Sequence, residues 1–179
     1  MTEPPAARYP LTEGLTRAMA GKAEARAPAT VSGAVDRYGW TSRDIAQRFG
    51  VSERTARRWR QYDRIPERRA GQWRDVTREA AAERQRRQIA ARGLSGMAVT
   101  GIYRVSRSRY RAAARMPVRI MPGERIPGAA MRDVFGALDE GRADDAERLL
   151  NDALHAGYQL PGAAALEFEH VESLSYTVR

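Results

Sequence analysis

Between Thr100 and Arg115 the chain reads TGIYRVSRSRYRAAAR, in which hydroxyls and guanidiniums interleave. Thr100, Tyr103, Ser106, Ser108 and Tyr110 stand among Arg104, Arg107, Arg109, Arg111 and Arg115. An arginine beside each hydroxyl can hold a phosphate or triphosphate next to it through two parallel, permanently charged donors. Nonspecific DNA binding uses the same residue types, and on those types alone it is the plainer reading.

Other chemistries lack their residues. The 179-residue sequence has no cysteine, which excludes disulfides, thiolate metal sites and cysteine nucleophiles. His155 and His170 are the only imidazoles and have no metal-ligand spacing, so no metal and no cofactor is expected. Gly14 and Gly21-Lys22 are too far apart for a phosphate-binding loop, and Ala23 stands where the magnesium-binding hydroxyl belongs. Asp144, Asp145 and Glu147 read as the exposed face and N-terminal charge of a helix. Nothing has the residues of a hydrolase, a recombinase or a polymerase, so the protein is not expected to be an enzyme.

A second constellation, TSRDIAQRFGVSERTARRWRQ from Thr41 to Gln61, fits a helix-turn-helix. Ile45, Phe49, Val51, Ala56 and Trp59 are apolar where two such helices pack. Ala46 is small where they cross, and Gly50 sits where the turn needs a positive φ. Thr41 with Asp44 has the capping-box pattern, and Ser52 can cap the second helix. With Ala56 and Trp59 turned inward, Glu53, Arg54, Arg57, Arg58 and Gln61 face outward, the set a recognition helix offers to a major groove. Arginine pairs bidentately with guanine and Gln61 suits adenine, whereas Arg60 reads as a phosphate contact.

The charge is polarised around this motif. Residues 1–40 carry a net +1, residues 41–116 hold 20 basic and 7 acidic residues for +13, and residues 117–179 carry −5, giving +9 in all. Lys22 is the only lysine. The middle should therefore meet a polyanion, and the tail, which phosphate repels, should meet protein. No apolar run approaches the roughly 20 residues that span a bilayer. The start, MTEPPAARYPL, lacks a signal-peptide pattern, and a soluble, cytoplasmic protein at the nucleoid is expected, with no membrane partner.

These residues need elements to position them. Leu11, Leu15 and Met19 predict a first helix, KAEARAPAT a linker, and Val31, Val35 and Tyr38 a short second helix. A long basic connecting helix is predicted from about Trp73 to Arg92, its apolar stripe of Trp73, Val76, Ala80 and Ile89 too thin to bury much area. Arg84, Arg86, Arg87 and Arg92 form its basic end, read as tracking phosphate or as a solvated linker. MAVTGIYRVS and PVRIM read as strands, and two amphipathic stripes around EGRAD as a helical hairpin. The last stretch has Leu166, Phe168, Leu174, Tyr176 and Val178 on even positions, a strand alternation. The expected fold is α+β: a helical helix-turn-helix domain over 1–70, the Arg-rich helix over 71–95, and a small β-β-α-α-β priming and interaction domain over 96–179.

In this order of elements the chain resembles the Tpg-type telomere-protecting terminal proteins of Streptomyces linear chromosomes and plasmids. The resemblance runs over about residues 10–178: N-terminal helices, GVSERTARRW, an Arg-rich connection, RRQIAARGL leading into a hydroxyl-bearing strand, and a terminal LEFEHVESLSY. It implies a protein primer. In that family DNA polymerase joins the first nucleotide to a side-chain hydroxyl, and the protein remains covalently attached to the DNA 5′ end while the recessed telomere is patched. The family uses a threonine after the Arg-rich region. The matching place here reads IYRVSRSRY, with Ser106 nearest, Ser108 next and Thr100 before them. DNA contacts are then expected from Arg54, Arg57, Arg58, Arg60, Gln61, Arg84, Arg86, Arg87, Arg107 and Arg109. The implied partners are telomeric DNA ends, single-stranded or folded, a DNA polymerase and a telomere-associated protein. A helix-turn-helix transcriptional regulator and a plasmid replication accessory protein are the alternatives.

Overall fold

A computed structural model describes residues 8–107, 110–115, 118–119, 126–158 and 165–178. The protein is α+β, with helices up to residue 92 and, after it, the sheet together with two further helices. The helices of the first part are α1 (Leu11–Arg26), α2 (Val31–Tyr38), α3 (Ser42–Phe49), α4 (Glu53–Tyr62) and α5 (Ala70–Arg92), the last preceded by a 3-10 turn over Glu67–Arg69. Then come β1 (Gly96–Arg107), β2 (Tyr110–Arg115), β3 (Val118–Arg119), α6 (Gly128–Asp139), α7 (Ala143–Tyr158) and β4 (Ala165–Thr177). Of the predicted linker, Lys22–Arg26 is helical: alanine at 23 and 25 favours helix, and Ala23 is buried. Only residues 27–30 separate α1 from α2.

β1 is the central strand. It pairs antiparallel with β4 on one side and with β2 and β3 on the other. β2, YRAAAR, has no alternation for a sequence reading to find; it is fixed by its partner, from Arg107↔Tyr110 to Ile102↔Arg115. β3 continues along β1 in the same register, with Val99↔Val118.

β4 carries two bulges, where the register with β1 shifts between Thr100 and Gly101 and again between Ile102 and Tyr103. Each bulge adds one residue and reverses which positions face inward. Phe168 is buried, Val171 is buried on an odd number between the bulges, and Tyr176 is buried after the second has restored the even phase. The even alternation expected from the sequence therefore omits Val171. Gly101 lies beside this distortion, and a Cβ there would fall 2.2 Å from the His170 carbonyl oxygen, so only glycine fits. On β4's other edge, Tyr9 and Val171 exchange both backbone hydrogen bonds, at 3.1 and 2.7 Å.

The chain divides into two compact units, Ala20–Gln85, and Met1–Met19 together with Arg86–Arg179. This is not the division by composition into 1–70, 71–95 and 96–179. The reason is burial: Leu11, Leu15 and Met19 share one core with Val99, Met131 and Leu150, whereas Trp73 and Ala80 belong to another.

A carboxylate holds the N-terminal residues in the first of these cores. Glu147 on α7, expected from the sequence on an exposed face, is half-buried and accepts from the amides of Leu11 (2.7 Å) and Thr12 (2.8 Å) and from the Thr12 hydroxyl (2.7 Å). It satisfies orphan donors of the first turn of α1 with a charge of the right sign. One turn on, buried Asn151 donates to the Glu147 carbonyl (2.9 Å) and accepts from the Phe168 amide at the bulged strand (3.0 Å). Glu147→Ala is expected to lower stability by about 1–3 kcal/mol, because it strands buried donors that a charged acceptor had satisfied. Urea denaturation followed by circular dichroism measures this, and Asp144→Ala, on the same helix, serves as the near-neutral control.

Candidate nucleic-acid interface

The helix-turn-helix is built from short-range devices. At the start of α3 the Thr41 hydroxyl accepts from the Asp44 amide (3.2 Å), while the Asp44 carboxylate accepts from the Thr41 amide (2.7 Å) and hydroxyl (2.6 Å). The hydroxyl and amide of Thr41 together hold the Asp44 carboxyl below the usual aspartate range. Gly50 ends α3 in the left-handed region, φ 61°, as the turn requires. Ser52 then caps α4, accepting from the Thr55 amide at 3.2 Å.

Packing of the motif rests on aromatic rings. Trp59 meets Phe49 edge-on at 5.8 Å, Phe49 stacks on Trp73 at 5.1 Å, and Trp40 meets Trp73 edge-on at 6.0 Å. Trp73, 2 % exposed, donates its indole N–H to the Pro28 carbonyl at 3.0 Å. Trp59 is thus a core residue, as its spacing predicted. The thin stripe of α5 supplies one large anchor to this core.

Asp63 closes the motif and was not singled out in the sequence. It ends α4 in the left-handed region, φ 46°, a conformation aspartate tolerates better than most residues. Its carboxylate accepts from the Ser32 amide (2.7 Å) and hydroxyl (2.9 Å), in the first turn of α2. These bonds, the amide's first, hold its carboxyl below the usual aspartate range. An aspartate after a helix is a common sequence pattern, and only the tertiary approach of α2 gives this one its partner.

α4 presents an exposed face of Arg54, Arg57, Arg58 and Gln61 opposite buried Ala56 and Trp59. Arg57 is paired with Glu53 at 3.4 Å; both are largely in solvent, so the pair is weak and the guanidinium stays available. Arg60 lies off that face and donates to the Ser42 hydroxyl at 3.2 Å, bracing α4 against α3.

The basic end of α5 is arranged differently from the sequence expectation. Arg84 donates to the Arg37 carbonyl at the end of α2, a C-terminal cap. Arg86 is bonded to Asp139 at 2.8 Å, reaches the Phe135 carbonyl at 3.4 Å and lies over the Phe135 ring at 4.8 Å, tying α5 to α6. Arg87 is exposed. The acids of the helical hairpin are also engaged: Arg142 binds Glu140 (2.7 Å) and Asp145 (2.6 Å), and Arg148 lies between Asp145 and Asp152.

Of the hydroxyl-bearing segment, Thr100 lies in β1, half-buried, opposite Ser173. Ser106 lies near the end of β1 at a register position between Arg111 on β2 and Ala165 on β4, and Arg107 follows it opposite Tyr110. Ser108 and Arg109 lie outside the described residues. Among the described residues no group of three or more His, Asp or Glu could hold a metal ion, and no helix is long and apolar enough to cross a membrane.

Residues 25–63 match the homeodomain-like domain family, a helix-turn-helix family. The match begins at the end of α1 and closes on Asp63, so it contains α2, α3 and the whole of α4. The chain carries a helix-turn-helix of the kind that binds DNA. Among curated proteins and solved structures, no match to the chain was found.

The two depressed carboxyls give the domain a definite acid response. A carboxyl whose folded value lies below its unfolded one contributes stability that is complete above the unfolded value and is lost as pH falls through the folded one. Stability should therefore decline below the ordinary aspartate range. Asp63→Asn, which keeps the left-handed turn but removes the charge, should make that acid limb shallower without abolishing it, because Asp44, and Asp145 held down by its bond from Arg142, still contribute. Thermal melts of both proteins between about pH 7 and about pH 3 give the comparison.

Proposed function

We propose that the protein is a terminal protein of linear replicons: it binds DNA ends through α4, offers a strand hydroxyl to a DNA polymerase as primer, and stays attached to the 5′ end. The observation that carries the DNA-binding part is the exposed face of Arg54, Arg57, Arg58 and Gln61, held on a capped and packed helix. What supports the priming part is the resemblance of the chain in its element order and the hydroxyls and arginines of β1 and β2.

In the priming step the hydroxyl oxygen attacks the α-phosphorus of a deoxynucleoside triphosphate, a phosphodiester O–P bond forms, and pyrophosphate leaves. The hydroxyl proton passes to a base on the polymerase. The protein is substrate and primer here, and the polymerase is the enzyme. Ser106 is the first candidate, then Ser108, then Thr100. The tail, negative overall, is the part assigned to polymerase or to a telomere-associated protein.

The homeodomain-like match is also what a transcriptional regulator would carry. Footprinting separates the two readings, since a regulator protects an internal palindrome whose half-sites are spaced by a helical turn, and a terminal protein protects ends.

The deciding experiment incubates the full chain with a DNA polymerase, a template ending in the replicon terminus and a labelled deoxynucleotide, followed by denaturing electrophoresis. Label migrating with the protein is expected, and lost in Ser106→Ala. Absence of any protein-linked label, with free 5′ ends recovered from cells making the protein, overturns the priming reading.

DNA affinity is the parallel measurement. Arg54→Ala or Arg58→Ala should each cost about 1–3 kcal/mol of binding where the residue reads a base. Arg86→Ala should instead leave affinity unchanged and lower stability, because that guanidinium is bonded within the fold.

A further inference from the structure

Among the described residues, Tyr62 is the one large hydrophobic side chain that is exposed, at 67 %. It is the last residue of α4, between buried Trp59 and Asp63, whose amide donates to the Trp59 carbonyl and whose carboxylate is bonded to Ser32. An exposed aromatic ring is therefore presented from a fixed backbone, and little conformational freedom remains to be lost when it meets a partner. Tyrosine has an apolar body and a polar tip, a combination used where one side of a contact is dry and the other wet.

Its position on the helix says which part of DNA it would meet. At about 100° per residue, Arg54, Arg58 and Gln61 cluster about one direction, and Tyr62 lies roughly 80° to one side of Arg54. A residue at the centre of a recognition helix's outer face meets base edges, whereas one on its flank at the helix end meets the wall of the groove, which is sugar and phosphate. We propose that Tyr62 is a backbone-contacting residue of the DNA interface: its hydroxyl donates to a phosphate oxygen while its ring lies against the deoxyribose. This rests on α4 being the recognition helix, and it adds a neutral phosphate contact beside the guanidiniums, one that fixes register without reading sequence.

A neutral donor has a signature that an arginine does not. Phosphate neutralisation by arginine releases counterions, so losing one such arginine lowers the slope of log affinity against log salt by about one. Losing a tyrosine hydroxyl releases none. The test is the affinity of full-length wild type, Tyr62→Phe, Tyr62→Ala and Arg58→Ala for a fluorescein-labelled mixed-sequence duplex, by anisotropy, from about 50 to about 200 mM salt.

Tyr62→Phe should bind about 2- to 10-fold more weakly at every salt concentration, with the wild-type slope, and equally so on a second duplex of different sequence. Tyr62→Ala should lose at least as much, and neither should change the thermal melt, the side chain being exposed. Wild-type affinity in Tyr62→Phe overturns the proposal, and so does a loss seen only in Tyr62→Ala, which would make the ring alone the contact. A loss confined to one duplex also overturns it, because it would place Tyr62 on a base. Failure of the α4 reading looks different: Arg58→Ala then binds as wild type does.

Discussion

The helix-turn-helix of the protein depends on the burial of Trp73. α5 is long, strongly charged and almost without an apolar face, so by itself it has little reason to dock on anything. One large ring changes that. Stacked on Phe49, met edge-on by Trp40 and tethered by its N–H to Pro28, Trp73 joins α5 to α3 and to the turn before α2. Phe49 in turn bears on Trp59, the residue that fixes the inward side of α4. Removing a buried tryptophan costs about 3–5 kcal/mol in general, and here the cavity would open beneath the helix that presents the arginines. The orientation of the arginine-bearing face of α4 is in this way set by a residue well outside the motif.

The same economy governs charge. The sequence holds 31 basic residues, and a guanidinium firmly bonded within the fold is less free to meet a phosphate than one in solvent or in a weak exposed pair. Arg86 is bonded to Asp139 and packed on Phe135, Arg84 caps α2, Arg60 braces α3, and Arg142 and Arg148 are paired with the acids of the α6–α7 hairpin. The Arg86–Asp139 pair offsets one charge of the basic middle against one of the acidic tail, whereas the pairs of Arg142 and Arg148 lie within the tail and are already counted in its net charge. On α4, Arg54 and Arg58 keep the exposed positions that the periodicity assigned to them.

What was legible in the sequence was what is local. The helix-turn-helix could be read because caps, a left-handed glycine and apolar spacing act within a few residues, and each has a residue type that serves it. What was not legible arises from chain segments far apart. Glu147 and α1 are separated by more than a hundred residues, and only the folded core brings that carboxylate to Leu11 and Thr12. β2 has no pattern of its own and takes its conformation from β1. In β4 the pattern was present but twice interrupted, since a bulge is a property of pairing and leaves the composition of the strand unchanged. The linker after α1 shows the opposite case, in which charge and alanine resemble loop composition while alanine's helical preference and one buried face decide the structure.

The sheet also constrains the chemistry assigned to its hydroxyls. Thr100 and Ser106 lie on the same strand six residues apart, which at a rise of about 3.3 Å per residue separates them by roughly 20 Å. A polymerase that places one at its reacting centre cannot reach the other without moving the whole domain, so the two are alternatives and cannot substitute for one another. Ser106 stands near the end of β1, within one residue of the last pair of the β1–β2 ladder, whereas Thr100 is flanked by the body of the β1–β4 pairing and faces the strand that carries the core residues Val171 and Tyr176. An enzyme active site must close around the primer hydroxyl from several sides. Ser106 is itself paired on both sides, with Arg111 of β2 and with Ala165 of β4, so strand pairing surrounds it as it does Thr100. What separates the two positions is distance along β1, so a partner that grips the strand at one of them leaves the other outside its reach.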